Sequence, residues 1–270
     1  MIGDRLARSL LKTGFTVTGI DRVPSEIRDP AFFSSVMDLS DYDPIKRIVE
    51  EQGIDRVIHL AGLAHARNGR KYRWEDYYRS NVECSENVFR AAASIPVLFI
   101  STVDVYGFTD GAAVKAEDRI HPFTDYAKSK ALAEEACRKL PHYSIFRFSP
   151  VYSESQKRDV RKRYYLKDGK LAYLIGKGKE YEVLNIDLAV QAMISWCRSE
   201  PKNEIRIIKD DRYLLTAERI KEEKTAGRAK LVLHVPEKMA RAGYCVLKTL
   251  TGRNQFTYLL NKAVNPLRTE

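Results

Sequence analysis

Apolar strand patterns alternate with amphipathic helix patterns through the first half of this sequence, and this alternation restricts the fold more than any other feature. A helical stripe in residues 3–13 comes before a strand over 15–20, and a short strand at 36–37 comes before the next helix. Parallel strands need a crossover connection, usually a helix, so strands that alternate with helices at this spacing form a doubly wound sheet. The sequence therefore predicts an α/β fold.

The alternation continues and then changes after Pro150. Before that residue we predict strands at 56–62, 97–100 and 143–147, and long helices at 74–93 and 126–139. Beyond it we predict a helix near 186–196, a strand at 205–208, a helix after 216, a strand at 230–233, and helices from 236 onward. We therefore expect one domain over 1–152 and a smaller α/β part over 153–270, interleaved with the last strands of the sheet.

The composition excludes several classes of protein. With 270 residues, 44% of them hydrophobic, the chain can bury a full core, which excludes a disordered protein. The four cysteines lie far apart and form no Cys-x-x-Cys pair, and the histidines lack metal-ligand spacing, so we predict neither a metal site nor a disulfide framework. No apolar run approaches the roughly 18 residues of a membrane span, and we expect a cytoplasmic protein.

Two short segments supply side chains suited to proton transfer. Tyr126-Ala127-Lys128-Ser129-Lys130 places a phenol and an ammonium four residues apart, hence on one face of a helix. A nearby positive charge favours phenolate, so a tyrosine with a reference pKa near ~10 can act as a base. The upstream Ser101-Thr102-Val103-Asp104-Val105-Tyr106-Gly107 adds the Thr102 hydroxyl at the end of an apolar strand. Together these three groups can move a proton while a nicotinamide moves a hydride.

These two segments resemble the extended short-chain dehydrogenase/reductase family, in its branch of NAD-dependent nucleotide-sugar epimerases and dehydratases, and the resemblance covers nearly the whole chain. It implies a Rossmann-like doubly wound parallel sheet, with 1–152 as the NAD(P)-binding domain and 153–270 as the substrate-binding part. It also implies that Thr102 is the catalytic hydroxyl, that Tyr126 is the catalytic base, and that Lys130 lowers the tyrosine pKa and holds the nicotinamide ribose.

The chain departs from this family at its start. The family opens with a strand and the turn Gly-x-x-Gly-x-x-Gly, where absent side chains let a pyrophosphate approach the backbone at a helix N-terminus. Here only Gly3 matches the last glycine, so the first strand and two glycines are missing. We expect a start codon assigned too far downstream, or a truncated copy, and expect the two strands that flank the missing one to lack ladder partners.

The remaining cofactor residues are implied by the same resemblance. Asp21 ends the second strand, where a carboxylate binds an adenosine ribose and repels a 2′-phosphate, so NAD is favoured over NADP, although Arg22 leaves NADP open. The other implied cofactor contacts are Asp38, Leu39, Leu60, Ala61, Gly62, Asn81 and Val151, with Tyr126 and Lys130. His59 has the place of a packed strand histidine rather than of a base.

The residue at position 103 narrows the choice of reaction. Related 4,6-dehydratases carry Thr-Asp-Glu at this strand end, where the two acids eliminate water, whereas the same three places here are Thr102, Val103 and Asp104, with no acid at 103. The resemblance then implies a C4 epimerase of nucleotide-diphosphate sugars in cell-surface polysaccharide biosynthesis. A 4-keto-sugar reductase and a truncated, non-catalytic protein remain alternatives. Pro150 and Ser153 differ from the family's Asn and Gly, which leaves the nucleotide and the sugar open.

The charge of the chain indicates an anionic partner. The formal net charge is +10, and residues 157–179 hold nine Lys and Arg against two Asp. This stretch could clamp a sugar-nucleotide diphosphate, touch an anionic membrane that carries lipid-linked sugars, or be a solvated loop, and Tyr164 and Tyr165 within it could stack on a base or pack. Nucleic acid is disfavoured because no recognised module accompanies the charge. The two long helices resemble the pair through which relatives form homodimers.

Overall fold

A computed structural model describes residues 2–64, 72–154, 158–166 and 171–270. Its helices there are α1 (Ile2–Lys12), α2 (Tyr42–Glu51), α3 (Trp74–Tyr78), α4 (Cys84–Ala91), α5 (Asp125–Cys137), α6 (Arg158–Arg161), α7 (Ile186–Arg198), α8 (Thr216–Thr225), α9 (Glu237–Thr251) and α10 (Gln255–Val264). Its strands are β1 (Val17–Asp21), β2 (Phe32–Val36), β3 (Val57–His59), β4 (Val97–Thr102), β5 (Ala113–Val114), β6 (Tyr143–Phe148), β7 (Val151–Tyr152), β8 (Leu171–Ile175), β9 (Glu180–Tyr181), β10 (Leu184–Asn185), β11 (Glu204–Ile208), β12 (Leu214–Leu215), β13 (Leu231–Val235) and β14 (Arg268–Thr269).

The chain forms two compact units, and each draws on separate stretches of sequence. The first unit comprises Met1–Val105, Pro122–Phe148 and Asp187–Ile208. The second unit comprises Tyr106–His121, Ser149–Ile186 and Lys209–Glu270. Among the described residues, no helix is both long and apolar enough to cross a membrane.

Parallel sheets organise the first unit. Four parallel strands lie in the order β11-β6-β4-β3, and β1 pairs with β2 in a separate parallel pair. The predicted α/β fold with a parallel central sheet is therefore confirmed. Within the described residues, β1 pairs only with β2, and β3 pairs only with β4. Both are therefore edge strands of their sheets. The single sheet that the alternation predicts is thus present in the first unit as two separate parallel sheets.

The core beneath α4 and α5 fixes the position of helix α5 in the first unit. Phe89 from α4, Phe99 from β4, Ala133 from α5 and Ile145 from β6 are at most 3% exposed and pack together. Each fully buried large apolar side chain contributes about 1.5–3 kcal/mol. Helix α5 is therefore held against the sheet along its length, and its small residues let it approach closely.

The long helix predicted over 74–93 is present but is not a regular α-helix. Between α3 and α4 lies one π-helical turn, Arg79–Glu83, so helical structure continues from Trp74 to Ala91 with a change of pitch. Such π turns are rare and are frequent at functional sites, because they rotate the side chains that follow. Asn81 lies in this turn and is 1% exposed.

Two-stranded pairs and helices build the second unit. Its strands pair as β10 with β7, β13 with β8 and β14 with β5 in parallel, and β12 with β9 antiparallel. Tyr164 and Tyr165 are 2% and 6% exposed inside an apolar cluster, so they pack rather than stack on a base. Helices α9 and α10 form a hairpin against Ile175.

The basic stretch predicted over 157–179 lies in the second unit, and residues 155–157 and 167–170 fall outside the described residues. Among the others, the guanidinium of Arg161 lies 3.2 Å from the Glu223 carboxylate and over the Tyr165 ring. The guanidinium of Arg163 lies 5.2 Å from the Tyr181 ring centroid. These two arginines therefore stabilise the second unit itself.

Candidate active site

Helix α5 carries the predicted catalytic pair. The Thr124 side chain accepts a hydrogen bond of 3.1 Å from the Ala127 backbone N–H, which caps the helix and puts Tyr126 in its first turn. Tyr126 is half-buried, whereas Lys130, one turn later, is 4% exposed. The prediction that both lie on one helix, four residues apart, is confirmed.

Lys130 is an amine held in an apolar environment. Its Nζ atom lies 3.9 Å from the centroid of the Phe99 ring, within the range of a cation–π contact. Burial lowers the pKa of Lys130 to about 7, and the nearby Glu134 carboxylate opposes that shift. The amine thus gains and loses its proton near neutral pH, as a group that assists proton transfer requires.

A buried ion pair stands one helical turn beyond Lys130. Arg147 on β6 donates from Nε and Nη2 to the two oxygens of Glu134, at 3.0 and 2.7 Å, and the two side chains are 1% and 0% exposed. The pairing is bidentate, so the carboxylate charge is largely neutralised by Arg147 rather than by Lys130. Sequence reasoning missed Arg147 as a site residue, although a lone arginine in an apolar strand signals a buried partner.

Asn81 joins the turn after β3 to helix α5. Its Oδ1 accepts from the Leu63 N–H at 2.5 Å, and its Nδ2 donates to the Leu63 carbonyl at 2.9 Å and to the Ser129 hydroxyl at 2.8 Å. A Cβ on Gly62 would lie 3.1 Å from Asn81 Oδ1 and 3.9 Å from Lys130 Nζ, so a larger residue here would crowd the Asn81 amide. The structure therefore brings Gly62, Asn81 and Lys130 together.

His59 completes the support for Asn81 and is not placed as a base. The Ser85 hydroxyl donates to the Asn81 carbonyl at 2.6 Å, so it accepts from His59 Nε2, which lies 2.8 Å away. His59 is 4% exposed and stacks on Phe99, and burial lowers its pKa to about 3. The ring is neutral at physiological pH, and the prediction of a packed strand histidine is confirmed.

Thr102 stands at the end of β4, as predicted, and is partly exposed. Its Oγ1 accepts a hydrogen bond of 3.2 Å from the Asp104 N–H, which fixes the side chain at the strand end. Val103 is 4% exposed. The position that holds an acid in related dehydratases is therefore occupied by a buried apolar side chain.

Tyr77, which sequence reasoning missed, lies beside the predicted base. Its ring centroid is 6.3 Å from that of Tyr126, and burial raises its pKa. No sequence pattern marks Tyr77, because α3 carries several aromatic residues and the contact depends on how α3 packs against α5. Tyr77 is protonated at neutral pH, so it provides a matched control for Tyr126.

The predicted ribose and adenine residues lie at the carboxyl ends of β1 and β2. Asp21 is exposed, and its Oδ1 accepts from the Val23 N–H at 3.1 Å. Asp38 is also exposed, and hydrogen bonds from Ser40 lower its pKa, with smaller help from Arg22. Ligands of open α/β sheets bind outside this edge of the strands. An exposed carboxylate there accepts ribose hydroxyl hydrogen bonds, so these residues fit an adenosine ribose.

The other predicted cofactor residues are spread over three places. A Cβ on Gly3, in the first turn of α1, would lie 3.8 Å from Leu60 Cδ1, so the start of α1 adjoins the turn that also contains Ala61 and Gly62. The Leu39 carbonyl accepts from Asn87 Nδ2 at 3.0 Å. Val151 begins β7 in the second unit.

Comparison with known proteins gives a family match and two distant curated relatives. Residues 1–194 match the NAD dependent epimerase/dehydratase family. The chain is 30% identical over 158 residues to an uncharacterized protein of Methanocaldococcus jannaschii, covering 55% of this chain and 46% of that protein. It is 27% identical over 143 residues to a UDP-glucose 4-epimerase of Azospirillum brasilense, covering 51% and 41%. The chain thus spans less than half the length of these relatives.

Solved structures share the fold over almost the whole chain. A UDP-glucuronic acid 4-epimerase from Bacillus cereus, in complex with NAD, matches with a TM-score of 0.69 at 21% identity, covering 98% of this chain and 94% of that one. A dTDP-glucose 4,6-dehydratase from Bacillus anthracis, also in complex with NAD, matches with a TM-score of 0.67 at 17% identity, covering 98% and 92%. The family match covers well over half of the sequence, and the chain therefore belongs to the NAD-dependent epimerase/dehydratase family, whose cofactor is NAD.

Proposed function

We propose that this protein is an NAD-dependent nucleotide-sugar epimerase that inverts C4 of the sugar. The observation that carries the proposal is the arrangement on one helix of half-buried Tyr126 and fully buried Lys130, with Thr102 at the end of the neighbouring strand. A phenol, an amine that titrates near neutrality and a hydroxyl are the groups needed to move one proton at a secondary alcohol.

The protein's own residues would handle that proton. Tyr126, as phenolate, removes the hydrogen of the C4 hydroxyl, and Thr102 hydrogen-bonds the same oxygen. Protonated Lys130 stabilises the phenolate, and its pKa near 7 lets the charge adjust as the tyrosine gains the proton. The nicotinamide supplies hydride acceptance and return at C4. Once the 4-keto sugar has turned over, Tyr126 returns the proton to the oxygen, so protons and electrons balance over the cycle.

Val103 favours this reaction over dehydration. Elimination of water needs an acid beside the threonine, and a side chain that is both apolar and buried cannot supply one. A 4-keto-sugar reductase would use the same residues for the second half of the cycle alone. It is the second candidate, because the proton-transfer residues fit both reactions equally.

We assign NAD rather than NADP to the cofactor site of this chain. Exposed Asp21 at the end of β1 would repel a 2′-phosphate, although Arg22 beside it weakens that repulsion. The residues proposed for the cofactor site in the first unit are Gly3, Asp21, Arg22, Asp38, Leu39, Leu60, Ala61, Gly62, Asn81, Tyr126 and Lys130, and Val151 is kept as a contact that the family resemblance implies. Asn81 would act through the Leu63 turn, because its amide already makes three hydrogen bonds inside the protein.

The biological setting follows from the substrate class and stays a prediction. Nucleotide-diphosphate sugars are donors for surface glycans, so we predict a cytoplasmic homodimer that serves cell-surface polysaccharide biosynthesis. For the basic stretch over 157–179, a diphosphate clamp, a contact with an anionic membrane and a solvated loop remain the alternatives.

The test is a comparison of Tyr126→Phe with Tyr77→Phe. Both lose one hydroxyl from neighbouring rings, but only the first removes the proposed base. With NAD and a panel of UDP- and dTDP-hexoses, followed by NMR, Y126F should lose turnover by roughly 10²–10⁴-fold, while calorimetric NAD affinity is retained in both variants. Y77F should keep turnover. Equal turnover in Y126F and wild type would exclude Tyr126 as the base.

The same assay separates the alternatives. A reductase reduces a 4-keto sugar with NADH and gives no C4 epimer from a hexose. A wild-type protein that binds no NAD by calorimetry supports the non-catalytic alternative instead.

A further inference from the structure

Exposed apolar side chains are concentrated near the end of the second unit. Of the 14 large apolar residues that are exposed in the described part of the chain, seven lie between Leu231 and Leu259. Single exposed apolar residues are normal on a soluble protein, but a concentration of this kind marks an interaction surface.

Helix α9 presents one apolar stripe to solvent. It packs on the second unit through Ala240 and Tyr244, which are 9% and 4% exposed. Met239, Val246 and Leu250, seven and four residues apart, share another face and are 67%, 56% and 76% exposed. The residues that stabilise the fold and the exposed stripe are therefore different sets on the same helix.

Helix α10, which packs against α9, carries two further exposed apolar residues. Phe256 and Leu259, three residues apart, are 62% and 57% exposed, whereas Tyr258 is buried. The Asn254 side chain accepts from the N–H groups of Phe256 and Thr257 and caps the helix. The five residues Met239, Val246, Leu250, Phe256 and Leu259, here called the hairpin surface, thus lie on two ordered, packed helices.

The surroundings of the hairpin surface are strongly positive. Residues 228–262 contain seven Lys and Arg and a single acidic residue, a net charge of +6. Asp110 pairs with Lys248 and Arg253, and Glu223 pairs with Arg228, so the neighbourhood stays net positive after these two acids are counted. Lys238, Arg241 and Arg253 among them are exposed. A helix with apolar side chains on one face and basic ones beside it is typical of segments that lie in the plane of a membrane interface.

We propose that the α9–α10 hairpin docks this protein on the surface of a bilayer that contains anionic phospholipid. The hairpin surface enters the boundary between headgroups and acyl chains, and the basic residues contact lipid phosphates. With 15 residues α9 is too short to span the roughly 30 Å hydrocarbon core, so the contact is peripheral.

Charge disfavours a second copy of the chain as the occupant, and residue composition disfavours another protein. A second copy would bring two stretches of net charge +6 together in an isologous contact, and like charges across an interface repel. Protein interfaces are enriched in Tyr, Trp, Phe, Met and Arg, whereas three of the five residues of the hairpin surface are valine or leucine, which are under-represented among residues that dominate protein binding.

The test is co-sedimentation of the whole protein with phosphatidylcholine vesicles, with and without about a third phosphatidylglycerol. We expect binding to the anionic vesicles and weak binding to phosphatidylcholine alone. Leu250→Ser with Phe256→Ser should weaken anionic-vesicle binding by at least about tenfold, since each change removes apolar area from the lipid contact. Lys238→Glu with Arg253→Glu should also weaken it.

The matched control is Leu188→Ser, because Leu188 is also a leucine on a helix exposed to solvent, at 42%. It should bind like wild type. Three results would overturn the proposal: no binding to anionic vesicles, equal binding to both vesicle types, or binding unchanged in the L250S/F256S variant. Sedimentation velocity completes the design, since self-association lost in L250S/F256S, without vesicle binding, would identify a second copy as the occupant. None of these readouts depends on NAD or a sugar.

Discussion

Two ends of the first unit are built in different ways: the end proposed to transfer a proton, here called the proton-transfer end, and the end proposed to bind the dinucleotide, here called the dinucleotide end. At the proton-transfer end Asn81, Lys130 and Glu134 are at most 4% exposed, and each is fixed by contacts from several elements. At the dinucleotide end Asp21 and Asp38 are exposed, and hydrogen bonds from residues two positions later hold their carboxylates.

The difference shows that proton transfer and ribose binding need different structural support. A base and its amine must be held in a fixed geometry, and surrounding packing provides that. A carboxylate that accepts ribose hydroxyls needs exposure and a local turn. Substitutions at the first end should therefore change stability together with chemistry, while substitutions at the second should change cofactor affinity alone.

The largest effect is expected for Arg147→Met. It leaves the Glu134 carboxylate buried without its bidentate partner, and breaking a buried pair in this way costs about 3–5 kcal/mol. Urea denaturation measures the loss. The control is Arg138→Met, which removes an exposed arginine 3.5 Å from the same carboxylate and should cost under about 1 kcal/mol. Similar losses of unfolding free energy in the two variants would contradict a larger stabilising role for the buried pair.

A smaller loss is expected for Asn81→Ala. The change removes three hydrogen bonds and leaves polar groups of half-buried Leu63 and buried Ser129 without these bonds, with an expected cost of about 2–3 kcal/mol. Asn87→Ala is the matched control, because Asn87 bonds two carbonyls at the edge of the protein and its loss should cost about 1 kcal/mol. An Asn81 variant as stable as the control would contradict the bridging role.

The pH dependence of the unfolding free energy in Lys130→Met tests the environment of the Lys130 amine. Its folded pKa of about 7 lies below the unfolded value of 10.5, so the unfolded state binds more protons between these values and stability rises with pH there. From pH 7 to 8, wild type should gain about 1 kcal/mol relative to Lys130→Met. Lys128→Met, on the exposed side of α5, should keep the wild-type slope. A wild-type slope equal to that of Lys130→Met would place the lysine pKa far above 8.

The smallest effect on stability belongs to the dinucleotide end. Asp21→Asn keeps an oxygen for the Val23 N–H, so denaturation should shift by less than about 0.5 kcal/mol. NAD affinity, measured by calorimetry, should fall about tenfold, because charge-assisted bonds to a ribose are lost. A large loss of stability with unchanged NAD affinity would contradict the proposed ribose-binding role of Asp21.

The sequence predicts the elements of both ends better than their contacts. Strand periodicity places Thr102 and Asp21 at strand ends, and helical spacing puts Tyr126 and Lys130 on one face, because both patterns are local. The π turn at Asn81, the Arg147–Glu134 pair and the Tyr77 contact depend on how distant segments pack. No local pattern encodes such pairings, although a lone arginine in strand β6 indicates that one exists.

The most direct measurement follows a deuterium label at C4 of a nucleotide hexose through epimerisation by the wild-type protein. If hydride leaves and returns at C4 while Tyr126 moves the hydroxyl proton, NMR should show an epimer that keeps deuterium at C4 in ordinary water. An epimer whose C4 label has exchanged with solvent, or no epimer from any hexose by a protein that binds NAD, would contradict C4 epimerisation by this protein.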